Sequence, residues 1–182
     1  MRELSLHILD IAMNAIEAQA SRLVISIEER KSENYLRIRL RDNGKGIPKD
    51  LLETISDPFT TSRKERTVGL GIPLLKQAAI SCNGHFNIQS IRGRGTELDI
   101  GFVMNHVNRA PMGDIEDTIV NIAICSTDIH LAYLHQTDFA RLLFDSYWIF
   151  ARMEDNECVK YQLGRPLKEY LQQELKRIQS EI

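Results

Sequence analysis

Residues 4–20 predict a helix that is apolar over most of its surface. Leu6, Ile8, Leu9, Ile11, Ala12, Ala15 and Ile16 supply that surface, so the segment must pack into a core. Yet His7, Asp10, Asn14 and Glu17 recur at steps of three, four and three, which places them on one face. Burying an unpartnered amide costs roughly 1–3 kcal/mol, and a charge costs more. The stripe therefore either faces solvent or lines a cavity whose contents satisfy it. Amide and carboxylate oxygens suit a hard cation such as Mg²⁺, and a carboxylate can orient a water for attack. Ser5 is a candidate N-cap.

The segments that follow predict a sheet. Leu23, Ile25 and Ile27 alternate with polar residues. Over Tyr35–Arg41, Leu36, Ile38 and Leu40 alternate with Arg37, Arg39 and Arg41, as in a half-buried strand with a basic outer face. "RDNGKGIPKD" is a loop, and Pro48 opens a short helix, DLLETIS, that Pro58 ends. "TTSRKERTV" is polar and basic without an apolar period, and reads as a mobile loop. "GLGIPLLKQAAI" turns from glycines into a helix. "HFNIQSI" and "TELDIGFVM" are strands joined by "RGRG".

Two further sites bear on the stripe. Asp42 follows a strand and precedes Asn43-Gly44-Lys45-Gly46. A carboxylate fixed there accepts a hydrogen bond from an exocyclic amine such as N6 of adenine, and the glycines let backbone approach a flat ligand. Taken alone, DNG is also an ordinary turn. In "VGLGI", Gly69 and Gly71 precede a helix, whose free N–H groups form an anion site. The segment is neither a Walker A loop nor a GxGxxG after a strand. Arg63, Lys64 and Arg66 lie between these two sites, on a loop suited to close over a triphosphate.

Together and in this order, the motifs of residues 4–103 resemble those of the GHKL superfamily: gyrase-type ATPases, Hsp90, MutL and the catalytic domain of histidine kinases. "LDIAMNAIEA" is similar to the N box, "DNGKGIP" to the first glycine box and "DPFTTSR" to the F box. "TVGLGI" is similar to the second glycine box and "GRGTELDI" to the closing strand. The resemblance implies ATP and Mg²⁺ as cofactors. It gives Asn14 the Mg²⁺ and phosphates, and Asp10 the place of the Glu that activates water in ATPase members, one methylene shorter. Glu17 falls where many members carry Asp. Asp42 would hold adenine, with Thr96 in support through water, and Gly44, Gly46 and Ile47 would shape the purine pocket. Phe59, Thr60 and Thr61 would begin the lid, Arg63 would reach a phosphate, and Gly69, Leu70 and Gly71 would contact the phosphates. Thr67 stands where many kinases have a glycine. Kinases of the family carry their phosphoacceptor His on a helical hairpin before the N box. Here Met1 lies almost inside that box, so the resemblance is to members lacking those helices. His7 sits within the ATP-site helix and is expected to pack or to support the site residues from behind.

The implied fold is an α/β two-layer sandwich of the Bergerat type, a mixed sheet with helices on one face, plus a small α+β extension. The expected division is an ATP-binding domain over 1–105 and the extension over 106–182, with "NHVNRAPMG" as linker. In the extension, "TIVNIAICS", "IHLAYLH" and "RLLFDSYWIF" read as three strands forming a small β core, and "RPLKEYLQQELKRIQSEI" as a helix. The aromatic residues there would otherwise serve a protein partner or a homodimer.

Charge narrows the partners. Residues 1–105 carry 15 Lys and Arg against 13 Asp and Glu, while residues 106–182 carry 8 against 12. Neither balance calls for nucleic acid or an anionic membrane. No apolar run is long enough for a membrane span. Cys82, Cys125 and Cys158 are distant and odd in number, as expected of reduced thiols in a cytoplasmic protein. Cys82 and His85 lack the further ligands of a zinc site. The expected function is Mg²⁺-dependent ATP binding with slow hydrolysis, in which lid closure signals to a protein partner. The alternatives are a kinase acting on a separate acceptor, like serine-phosphorylating anti-sigma relatives, or a non-catalytic regulator.

Overall fold

The computed structural model describes residues 3–55, 71–126, 128–150 and 162–180. Helix α1 (Leu4–Glu17) leads into strands β1 (Arg22–Arg30) and β2 (Tyr35–Asp42) and the short helix α2 (Lys49–Ile55). After these come α3 (Gly71–Ile80), β3 (His85–Ile91), β4 (Gly95–Val103) and α4 (Ile115–Cys125). The chain continues through β5 (His130–Gln136), β6 (Arg141–Asp145), α5 (Ser146–Phe150) and α6 (Gly164–Arg177).

The strands form one six-stranded sheet in the order β3-β4-β2-β1-β5-β6. All neighbours are antiparallel except β1 and β5. The sheet is therefore mixed. Alternation sets its two faces: Ile25, Ile27, Ile38, Leu40, Leu98, Ile100, Tyr133 and Phe144 are buried on one side. Helices α1, α3 and α4 cover that side, and α6 packs on α4. The arginines of β2 stand on the other face, where Arg37 makes a forked contact with Asp99 at 2.6 and 2.7 Å.

Five expectations are corrected. Ser5 is not the N-cap: helix α1 begins at Leu4, and Ser5 is buried in its first turn. The first N–H groups are met by main chain instead, Leu4 donating to Pro111 O at 3.0 Å and Ser5 to Met112 O at 2.8 Å. The supposed linker is consequently packed at its end, with Met112 fully buried, while Val107 stays exposed. "TIVNIAICS" lies in helix α4, not in a strand. Asp114 caps it, its side chain accepting the Asp117 N–H at 3.0 Å, and burial on nearly all sides removes the one-sided apolar period. "RLLFDSYWIF" is a strand only to Asp145, whose carboxylate accepts the Tyr147 N–H at 2.9 Å and turns the chain into α5. The described part of residues 106–182 builds no β core of its own, because β5 lies along β1 and carries the sheet onward. The C-terminal helix follows its pattern, burying Leu167, Leu171, Leu175 and Ile178.

Candidate nucleotide site

Helix α1 packs its apolar face on the sheet and leaves its polar stripe at one rim. Asn14 and Glu17 there line a cavity of about 380 Å³. Its other walls come from the loop after β2, namely Asp42, Lys45, Gly46, Ile47 and Pro48, and from Leu51, Ile72, Arg92, Thr96 and Leu98. Ile11, Ala15 and Ala18 complete the helical side. Most of this lining is apolar, which suits a flat ring, and the polar groups sit at defined points.

Asp42 is the best-held of those groups. Its Oδ1 accepts the Gly44 N–H at 2.7 Å, and its carboxylate also receives the Thr96 N–H. Burial nevertheless raises its pKa above the ordinary carboxylate range, outweighing both hydrogen bonds. The loop is anchored by its neighbour: Asn43 Oδ1 accepts the N–H groups of Ser21 and Arg22 at 3.0 and 2.8 Å.

The two glycines have separate tasks. Gly46 lines the cavity at φ +66°, and a Cβ there would stand 2.3 Å from Ile91 O. Gly44 lies outside the lining and lets the loop touch the end of α1, where a Cβ would meet Ala18 O at 2.7 Å. Ser90, which the sequence reading did not single out, ties the loop to the β3–β4 hairpin. Its Oγ accepts the Ile47 N–H at 2.8 Å, donates to Gly95 O at 3.0 Å and lies 2.9 Å from Thr96 Oγ1. Lys45 and Arg92 were also missed as cavity residues. A run read as strand and turn carries no signal that its side chains share a cavity with Asp42.

Asp10 stands one turn before Asn14, outside the cavity lining and exposed. It abuts the first residue of α3: a Cβ on Gly71 would lie 3.1 Å from Asp10 Cβ and 3.3 Å from its Oδ2. The stripe thus runs from the cavity toward the N-terminus of α3. His7, one turn further on, is buried, and its Nδ1 has no hydrogen-bond partner among the described residues. Burial is the main influence on its pKa and lowers it. Phe59, Thr60, Thr61, Arg63, Gly69 and Leu70 lie outside the described residues.

Residues 2–106 match the family described as histidine kinase-, DNA gyrase B-, and HSP90-like ATPase. The match spans more than half of the chain, and the protein belongs to that family. Its first hundred residues form an ATP-binding domain of the GHKL type. Among relatives, the sensor histidine kinase ZraS of Escherichia coli O157:H7 is 31% identical over 106 residues, covering 58% of this chain and 23% of ZraS. Sporulation kinase D of Bacillus subtilis is 34% identical over 93 residues, covering 51% of this chain and 18% of the kinase. The chain thus spans about a fifth of the length of these kinases. The Aquifex aeolicus MutL ATPase domain complexed with ADP shares the fold, with a TM-score of 0.51 at 11% identity over 74% of this chain and 60% of that one. The N-terminal domain of a DNA repair protein is similar at a TM-score of 0.53 and 16% identity, covering 79% and 52%. Among the described residues, no helix is long and apolar enough to cross a membrane.

Proposed function

We propose that the protein binds Mg-ATP in this cavity, hydrolyses it slowly and passes the nucleotide state to a protein partner. The observation that carries the reading is Asp42, a half-buried carboxylate fixed by two N–H groups on a mostly apolar wall. Such a group selects a flat ring bearing an amine. The base would lie against Ile47, Gly46 and Thr96, and the phosphates would run along Asn14 toward the first turn of α3.

The donor set fits Mg²⁺. Asn14 offers an amide oxygen on the wall, with Glu17 one turn away, and this cation commonly takes few protein ligands beside phosphates and waters. When bound, it would offset phosphate charge. Asn14 would orient the phosphate end. Asp10, exposed one turn before it and beside Gly71, would accept a hydrogen bond from the attacking water and aim it. With one methylene fewer than Glu, it reaches less far, which accords with slow turnover. The kinase relatives favour a second reading, transfer of the γ-phosphoryl group to a separate protein. Residues 106–182 are the proposed route to a partner, as an extension of the ATP-binding domain.

The test measures ATP binding and phosphate release by the protein and by Asp10→Asn. Binding kept in both, with release reduced at least tenfold in the variant, is expected. Release unchanged in Asp10→Asn removes Asp10 from the reaction. Binding without release in either protein moves the reading to the kinase or to a nucleotide-gated switch. Absence of binding up to millimolar ATP overturns the proposal.

A further inference from the structure

At the end of the sheet away from the nucleotide cavity, β6 has no strand on its outer side among the described residues. Its main chain has a defined phase. The Thr137 N–H donates to Ala140 O at 2.9 Å, which makes 137 and 140 a hydrogen-bonded pair. Bonded and non-bonded pairs alternate from there. Gln136 faces Arg141, Leu134 faces Leu143 and Ala132 faces Asp145. Arg141, Leu143 and Asp145 therefore occupy the non-bonded positions toward β5 and turn their N–H and C=O groups outward. The Arg141 carbonyl, accepting Arg177 Nη2 at 3.3 Å, agrees with that phase.

The side chains of these three residues stand on the face opposite the buried Leu142 and Phe144. Leu143 is 66% exposed, with Leu134 beside it on β5. Tyr147 and Trp148, 58% and 69% exposed, extend the apolar patch past the strand end. Tyr147 packs on His130 with ring centres 5.7 Å apart. The strand contains no Lys and no Pro, the residues that commonly blunt a free edge.

We propose that this edge pairs with the same edge of a second copy of the chain, antiparallel, with the two-fold axis at Leu143. The occupant follows from the strand itself. RLLFD is self-complementary about its centre: Leu143 would face Leu143 of the second copy, Arg141 would face Asp145, and Leu142 would face Phe144. Arg141 is exposed and has no carboxylate partner among the described residues, and the second copy brings one on the same face of the extended sheet. A foreign strand would have to carry this pattern, whereas a second copy already does. A five-residue edge buries less than a standard interface, so the association depends on concentration.

The experiment is molar mass by light scattering or sedimentation across a dilution series. The full chain is expected to move from two-chain to one-chain mass on dilution. Arg141→Asp alone and Asp145→Arg alone each set like charges opposite and should stay single. Mixed in equal amounts they should recover the two-chain mass, because Arg and Asp then meet between unlike chains. Leu143→Lys should stay single. ATP binding by each variant checks its fold. Asp145 also holds His130 and the Tyr147 N–H, so if Asp145→Arg loses its fold, the other two variants still decide. A wild-type chain that stays single at every concentration overturns the proposal. So does a dimer that survives both Arg141→Asp and Leu143→Lys. A mixture of two folded charge variants that stays single overturns the register.

Discussion

Asp42 ends β2 with its carboxylate half out of water and two N–H groups pointed at it. Burial is the larger influence and raises its pKa, so the folded protein holds this proton up to a higher pH than an unfolded chain does. Two consequences follow. Stability from this group is greatest below the ordinary carboxylate pKa and falls as pH rises through the raised one. ATP binding changes in the opposite sense, because an amine needs the ionised form as acceptor. Affinity for ATP is therefore expected to weaken on mild acidification, at a pH above the usual carboxylate range. Asp42→Asn should cost roughly ten- to a hundredfold in affinity, the worth of one hydrogen bond to a charged group, and should flatten that pH dependence. Calorimetric titration at several pH values checks both. An unchanged pH profile in Asp42→Asn would place the titrating group elsewhere. Its place beside a cavity was legible only from the motifs taken together, because an acid before two glycines is by itself an ordinary turn. Ser90 was not legible. A serine in an alternating strand carries no mark that its hydroxyl will hold a loop forty-three residues away.

The elements divide by how much of their surroundings their own residues encode. The strands β1 and β2 and the helix α6 each have one wet and one dry side, and their periodicity shows it. Helix α4 does not, because α1, β5 and α6 enclose it and Ile115, Ile119, Val120, Ile122 and Ala123 are all buried. A β-branched run broken only by Asn121 then looks like a strand. Its one legible mark, the capping Asp114, lies four residues before the apolar run read as a strand. The pairing of α4 with α6 gives a contrast between burial and charge. Leu171 is fully buried, and Leu171→Ala should cost roughly 2–5 kcal/mol. Lys168 bridges Asp114 and Asp117 at 2.7 and 3.0 Å, which raises its pKa to about 12. That site is partly solvated, so Lys168→Ala should cost less than about 1 kcal/mol. Denaturant unfolding of the two variants checks the order, and equal losses would mean that the ion pairs hold α6 in place.

For the whole molecule, the question is whether the C-terminal residues follow the nucleotide domain or fold with it. Strand β5 runs beside β1 from Arg22–His130 to Glu28–Gln136. Below that seam lies a buried polar chain. Tyr133 Oη is 2.6 Å from His135 Nδ1, His135 Nε2 is 2.6 Å from Glu29 Oε1, and Ser180 Oγ donates to the same oxygen at 2.6 Å. Thr137 donates to Ile178 O at 2.6 Å. Burial, more than the charge of Glu29, holds the Tyr133 phenol protonated, so the ring nitrogen facing it accepts and the other donates to Glu29. Removing the imidazole takes one donor from a buried carboxylate that keeps Ser180, at a cost of roughly 1.5–3 kcal/mol before the cavity left behind is counted. Because that chain joins β1 to Ser180, just beyond the end of α6, the loss should not stay local. We expect one unfolding transition for the full chain, with calorimetric and van't Hoff enthalpies equal. His135→Ala should lower it as a unit. Amide exchange should quicken together in β2, which carries Asp42, and in β5. Two separate transitions, or faster exchange in β5 and α6 alone, would show instead that residues 1–105 hold the nucleotide cavity without help from the rest.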